Sequence, residues 1–443
     1  MNTSPIIPRY RWSELDSSLQ SRLLERPQRS GGVELSASVQ QIIDQVREQG
    51  DAALRELTLR YDRVEIEHPL VTEREWTSAA ESLEQPLKDA IAASRQRIAR
   101  FHQSTAHQPI AVETAPGLIC EKLPVPITRV GLYVPAGSAP LPSTALMLAV
   151  PAQLADCPEV VLCTPPRADG SADPAVLYAA RLCGVTRAYK VGGAQAIAAM
   201  AYGTESIPAC EKLFGPGNGW VDEAKRLVNL DPRGPVIDLP AGPSEVLVIA
   251  DAEANPDFVA ADLLAQAEHG PDSQVLLVSD DPALLDAVER ALTAQLPQLP
   301  RAEVASAALA HSRAVLVDSI EAGIELSNRY APEHLILQLE RPRQWLARVR
   351  NAGSVFLGAL TPESLGDYGS GTNHVLPTGG AARYTGGVSV DSFQKQMTVQ
   401  QADVQALREV GPQIIRLAQA EGLDAHALAV SRRLDWLSEA QVR

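Results

Sequence analysis

The sequence predicts an α/β protein in which two similar strand–helix blocks, each on a parallel sheet, stand between helical N-terminal and C-terminal segments. Three observations lead there. From Thr128 onward, short apolar runs alternate with alanine-rich helical stretches, the pattern of a parallel sheet covered by helices. A second block after Asp238 repeats the alternation. At 443 residues the chain is too long for one compact core, so two or more domains are expected.

Up to about residue 125 the texture is helical. Ser38–Tyr61 and Thr72–Gln103 carry apolar residues at three- and four-residue spacing among many charges. The first block follows, with Arg129–Val134, Glu159–Thr164 and Arg187–Val191 as strands and Ala145–Ala155, Pro174–Cys183 and Ala194–Tyr202 as helices. In the second block Val246–Ile249, Gln274–Ser279 and Ala314–Val317 are strand-like, while Pro256–His269 and Pro282–Gln295 are helical. Glu159–Thr164 leads to Asp173-Pro174 as Gln274–Ser279 leads to Asp281-Pro282, which suggests a duplicated α/β unit. From about Thr398 the tail reads as helical again.

Composition narrows the function. Apolar residues make up 45% and charged residues 21%, as in ordinary globular proteins. A net charge of -15 supplies no basic excess for phosphates, so general nucleic-acid binding is not expected. Five cysteines without a C-x-x-C pair read as free thiols of a reducing compartment. Met1–Trp12 has no apolar signal core, and no run approaches the roughly 18 apolar residues of a membrane span. A cytoplasmic protein without membrane partners is expected.

Four of the eight histidines sit in short strings beside acids or amides, and such side chains hold metals and move protons near neutral pH. In Gln266-Ala267-Glu268-His269, Asn255 can cap the helix, Pro256 suits its first position and Gly270 suits a left-handed stop. Gln266 and His269 then share one face of its last turn, although a polar helix end would look the same. Asp367 and His374 flank a glycine-rich stretch, which fits a loop lining a pocket or a plain surface loop. Glu333-His334 precedes the apolar run Leu335–Leu339, placing two titratable groups at a strand mouth, or an unremarkable edge-strand pair. Glu421 and His426 lie near helix ends around Gly422. Gln266, His269, Asp367 and His426 together offer oxygen and imidazole donors that suit zinc among common metals. Val191–Ile197 runs from a strand into a helix, a natural place for a phosphate or polar ligand group. Phe214–Asn218 and Leu239–Glu245 read as rigid loops at strand ends. No G-x-G-x-x-G follows a strand, so motif physics alone does not predict a nicotinamide cofactor.

Taken together, these strings resemble the histidinol dehydrogenase family. Matching segments are Gly131–Pro135, Val191–Gly203, Phe214–Asn218, Gly242–Glu245, Ala261–Gly270, Tyr330–His334, Gly366–Pro377 and Glu421–His426, in the family's order over roughly residues 30 to 430. The resemblance implies oxidation of L-histidinol to L-histidine by NAD with one zinc ion per subunit, at the end of histidine biosynthesis. It implies two similar incomplete Rossmann-like domains and a homodimer with shared active sites. The implied organisation is an N-terminal extension over 1–30, a first α/β domain from 31–128 and 239–385 bearing metal and catalytic residues, a second on the NAD side over 129–238, and a tail over 386–443 that serves the dimer partner's site.

By position, Gln266, His269, Asp367 and His426 look like zinc ligands, and Glu333 and His334 like the acid–base pair. Ser244, His374 and Glu421 look like substrate contacts alongside His334 and the metal ligands. Tyr133, Gln195 and Asn218 look like cofactor contacts. Competing readings are a zinc hydrolase, a non-catalytic metal-binding α/β protein, and a relative acting on another amino alcohol or a sulfonate.

Overall fold

The structure is a computed structural model that describes residues 5–27, 32–136, 139–240 and 242–440. It divides into two compact units, one within Met1–Ser104 and Ile127–Phe393, the other within Thr105–Pro126 and Gln394–Arg443.

The first unit holds two all-parallel sheets. One combines β1 (Arg9–Arg11), β9 (Glu245–Ala250), β10 (Gln274–Ser279), β11 (Arg313–Leu316), β12 (His334–Gln338) and β13 (Ser354–Leu357), in the order β1-β11-β10-β9-β12-β13. The other combines β4 (Arg129–Tyr133), β5 (Glu159–Thr164), β6 (Arg187–Lys190), β7 (Lys212–Phe214) and β8 (Val236–Ile237), in the order β6-β5-β4-β7-β8. Apart from β1, each sheet counted from its own first strand reads 3-2-1-4-5, the Rossmann order short of its sixth strand. The same order twice is what a duplicated unit would give. The Asp-Pro pairs act alike as well. Asp173 accepts from the backbone of Ala175 and Val176, and Asp281 from that of Ala283 and Leu284, each starting a helix with proline in its first turn.

Continuous apolar runs form these strands because helices cover both faces. Along β9 the faces alternate with the two-residue period of a strand. Val246, Val248 and Ala250 join Val259, Leu263 and Val288 in one core, while Leu247 and Ile249 join Ile320, Ile324 and Leu335 in another. Each fully buried valine, leucine or isoleucine contributes roughly 1.5–3 kcal/mol, so a polar residue at Leu247 would open the middle of the sheet.

The helical N-terminal region differs from expectation in three ways. Ser38–Tyr61 is two helices, Gly32–Gln49 and Asp51–Asp62, because Gly50 takes a φ of +55° that breaks the first. Thr72–Gln103 is also two, Glu73–Ser82 and Gln85–Thr105, since Leu83 is extended. Residues 32–62, grouped with the first α/β domain in the sequence, pack on the β4–β8 sheet. Val39, Ile43, Val46, Leu54 and Leu57 share a core there with Tyr133, Val161 and Tyr189.

The second unit corrects the reading of both ends as wholly helical. β2 (Ile110–Ala115), β3 (Leu118–Pro126) and β14 (Gln394–Ala402) form an antiparallel sheet with β3 central, and helices Val404–Ala420 and Asp424–Ala440 follow β14. The β2–β3 hairpin turns at Gly117, whose φ is +75°. Pro116-Gly117 between β-branched residues is the signal that helical periodicity masked.

Candidate active site

The chemistry gathers at the amino edge of the β9–β12 pair, within the first unit. Glu245 opens β9 and is 2% exposed. Its backbone N–H donates to Glu333 Oε2 at 2.9 Å, and its carbonyl meets His334 Nδ1 at 3.2 Å. A carbonyl oxygen only accepts, so Nδ1 carries the proton and Nε2 keeps its lone pair. One residue's peptide groups therefore hold both titratable side chains. The Glu245 carboxylate is itself gripped by Arg26, through Nε at 2.5 Å and Nη2 at 2.8 Å, and by the Gly379 N–H at 2.8 Å. Arg26 also donates to the Tyr330 carbonyl at 2.9 Å and lies 4.0 Å from the centre of its ring. These contacts hold the chain where Ala331 adopts a left-handed φ of +57°, which costs roughly 1–2 kcal/mol for a residue with a Cβ.

Gln266 and His269 arrive from the helix Pro256–Ala267, which descends from the carboxyl end of β9. Asn255 caps it by accepting from Asp257 N at 2.9 Å, with Pro256 in the first turn, as the sequence implies. The left-handed stop at Gly270 does not form. The helix ends through Glu268 in a right-handed conformation, with His269 N–H donating to the Gln266 carbonyl at 3.2 Å. Gln266 is fully buried, and both ends of its amide are satisfied in one orientation, with the oxygen toward His269 Nδ1 at 3.0 Å and the nitrogen toward Glu363 Oε1 at 2.8 Å.

Asp367 lies on a short helix, Glu363–Tyr368, rather than in the expected glycine loop. Pro362 starts this helix, and Gly366 lets it rest on the Phe356 ring, where a Cβ would come within 2.7 Å. Glu363 and Asp367, four residues apart, share its buried face. Ligating atoms of His269, Glu363 and Asp367 all lie within 4.8 Å of one another. His374 sits in the following loop with both ring nitrogens engaged, Nδ1 with the Asp367 carbonyl at 3.1 Å and Nε2 with Thr144 Oγ1 at 3.2 Å. Ser244, half-buried, directly precedes Glu245.

Burial sets the charge states. It pushes Glu333 and Glu363 well above the usual carboxylate range and Asp367 up to about 6; repulsion from Glu245 and Asp367 raises Glu333 further, and repulsion from Asp367, Glu333 and Asp262 raises Glu363. The backbone N–H of Glu245 partly offsets this at Glu333. Burial drives His334 down to about 3 and His374 to about 4. The buried carboxyls of Glu333, Glu363 and Asp367 face the neutral His334, with no lysine or arginine among the causes of their shifts, while Arg301 helps to hold His269 neutral. A divalent cation is the charge this set lacks, and its imidazole, carboxylate and amide oxygen donors fit zinc.

Tyr133, Gln195 and Asn218 stand at the other sheet. Tyr133 ends β4, Gln195 lies in the helix Gly193–Tyr202 after β6, and Asn218 follows β7 and caps the helix Gly219–Leu230. All three occupy its carboxyl edge, where β4 and β7 mark the reversal of strand order. Open α/β sheets bind ligands in that crevice. Tyr133 Oη accepts from Gly193 N at 3.0 Å, and Gly192 offers the helix start no side-chain cap, leaving it suited to a polar ligand group. Thr144 is in the helix Pro142–Leu154 that follows β4, so its bond to His374 joins this edge to the amino edge of the first sheet.

Glu421 and His426 belong to the second unit, at the C-cap of Val404–Ala420 and in the first turn of Asp424–Ala440, and both are exposed. Among the described residues, the ligand cluster of His269, Glu363 and Asp367 does not include His426. The sequence reading missed Glu363 and gave Glu245 no role. Glu363 stands four residues before Asp367, and that spacing would have flagged it had the segment been read as a helix.

Two incomplete Rossmann-type sheets, with imidazoles and buried carboxyls gathered at the amino edge of one of them, define an α/β protein of the dehydrogenase kind. The family profile described as histidinol dehydrogenase matches residues 25–434. Histidinol dehydrogenase from Xylella fastidiosa is 59% identical over 424 residues, covering 96% of this chain and 98% of that protein. The Vibrio parahaemolyticus protein of the same name is 51% identical over 428 residues, covering 97% and 98%. The crystal structure of histidinol dehydrogenase from Elizabethkingia anophelis superimposes with a TM-score of 0.94 at 45% identity, covering 99% of this chain and all of that one. The chain belongs to the histidinol dehydrogenase family and is an oxidoreductase. Among the described residues, no helix is long and apolar enough to cross a membrane.

Proposed function

We propose that this protein oxidises L-histidinol to L-histidine through L-histidinal, reducing two NAD, in the cytoplasmic end of histidine biosynthesis. One observation carries the reading: Glu333 and His334 hang from the peptide groups of Glu245 beside the cluster of His269, Glu363 and Asp367, against which the Gln266 amide packs. Gln266, His269, Asp367 and His426 would hold zinc, which when bound supplies the positive charge that fixes the substrate's imidazole and amino nitrogens. Ser244, His374 and Glu421 line the substrate's surroundings, and Tyr133, Gln195 and Asn218 hold the nicotinamide nucleotide.

His334 Nε2, kept unprotonated by burial, takes the hydroxyl proton while hydride leaves the carbinol carbon for the nicotinamide, giving the aldehyde. In the second half Glu333, whose carboxylate form a bound cation would favour, takes a proton from the water that attacks the aldehyde carbon. The resulting hydrate anion then gives a second hydride to a second NAD, and its alkoxide oxygen becomes the carbonyl of the L-histidine carboxyl. His426 and Glu421 reach the site from the partner in a homodimer, a proposal supported by their exposed positions on the second unit.

The test is purified protein with L-histidinol and NAD, followed by NADH absorbance. Two NADH per histidinol, lost with a chelator and regained with zinc, supports the reading. Turnover without nicotinamide would favour a hydrolase, and a preference for another amino alcohol would reassign the substrate.

A further inference from the structure

We infer that Glu363 is a positioning residue that decides which end of the Gln266 amide faces the metal. The inference rests on the proposed zinc site and names a residue that site does not yet contain. A glutamine amide has two ends of nearly equal shape and opposite chemistry. Only the oxygen has lone pairs for a cation, and the NH2 end would present hydrogens to it. Gln266 is fully buried, so its orientation is set by neighbours rather than by water. Its nitrogen meets Glu363 Oε1 at 2.8 Å, and its oxygen meets His269 Nδ1 at 3.0 Å and keeps a second lone pair free.

The other groups near that nitrogen orient it less well. The Glu245 carbonyl is 3.3 Å away and already accepts from His334 Nδ1. His334 Nδ1 is 3.2 Å away but carries its own proton toward that carbonyl, so it cannot accept. A bound cation would favour the carboxylate form of Glu363, and as a carboxylate it is the one close acceptor left to hold the amide. It is 1% exposed, on the same helix as Asp367, so one short element brings both a ligand and the group that orients another ligand. Such partners of metal ligands typically change metal affinity about 10–100-fold when removed.

The test is Glu363→Gln, whose amide both donates and accepts and so removes the preference. Zinc affinity, read by competition with a chromogenic chelator, should fall about 10–100-fold, with the thermal melt of the metal-free protein unchanged. The visible spectrum of the cobalt-loaded variant should change as well, since it reports the ligand set. The exchange Gln266→Glu with Glu363→Gln should recover most of the affinity, because the carboxylate then offers oxygen either way round and the amide across from it can donate to it. Unchanged zinc affinity and cobalt spectrum in Glu363→Gln overturn the inference. So does a loss that the exchange fails to repair, which would make Glu363 a ligand itself. A wild-type protein that takes up no zinc overturns the site instead.

Discussion

At His334 the two ring nitrogens are assigned different tasks by one hydrogen bond. Nδ1 is tied to the Glu245 carbonyl, so Nε2 is left with its lone pair for the proposed role of base, in a site whose burial keeps the ring neutral. Asparagine at this position can keep the first contact and cannot be the base. His334→Asn should therefore lower kcat about 10²–10⁴-fold while zinc content, measured by atomic absorption, stays at the wild-type level; loss of metal would mean that His334 serves the ion. Glu333→Gln should slow oxidation of L-histidinal more than that of L-histidinol in single-turnover measurements, and equal slowing would remove its task as water activator. Residues such as His334 and Asp367 were legible because their sequence neighbours are unusual. Glu245 was not, because its role comes from contacts 88 and 89 residues away. Glu363 was hidden by the glycines that made its segment read as a loop.

Elements were legible in proportion to how local their cause is. Strands such as β9 and β10 carry apolar runs, residues 246–250 and 275–278, and are buried along their whole length, and no other arrangement hides them. Proline marks the helix starts through its fixed backbone and aspartate through a side chain that accepts from the first turn. The β2–β3–β14 sheet was missed because its strands are largely exposed and its pairing joins residues 110–126 to 394–402. Gly215 is the element-scale test. It sits where β7 ends beside β4 with φ +121°, and a Cβ there would lie 2.1 Å from the Tyr133 carbonyl oxygen. The turn is braced by Lys225, which donates to the Gly215 carbonyl at 2.8 Å and to Asp238 at 2.5 Å. Gly215→Ala must part the two strand ends that flank the crevice. It should raise KM for NAD severalfold and lower stability by about 1–3 kcal/mol, with zinc content unchanged. Wild-type KM for NAD would separate this turn from nucleotide binding.

On the scale of the molecule, the two sheets share a topology and use opposite edges. At the carboxyl ends of β9 and β12 the crevice is knitted shut, Asp251 N donating to the Gln338 carbonyl at 3.3 Å and Glu340 N to Asp251 Oδ2 at 2.8 Å. The β4–β7 crevice keeps its glycine turns and its uncapped helix start. The proposed metal and acid–base residues therefore lie at the amino edge of the first sheet, where the descending helix Pro256–Ala267 delivers Gln266 and His269, and the proposed nucleotide contacts at the carboxyl edge of the second. Asp367 and His426 fall on different compact units, and His426 is exposed. A shared-site dimer makes a sharp demand of that arrangement. Asp367→Ala and His426→Ala should each be inactive alone. Refolded together in equal amounts, half of the dimers are mixed, and each mixed dimer joins an intact Asp367 from one chain to an intact His426 from the other at one of its two sites. About a quarter of wild-type activity should return. If each chain completes its own site, every site in the mixture carries one defect, and no activity returns.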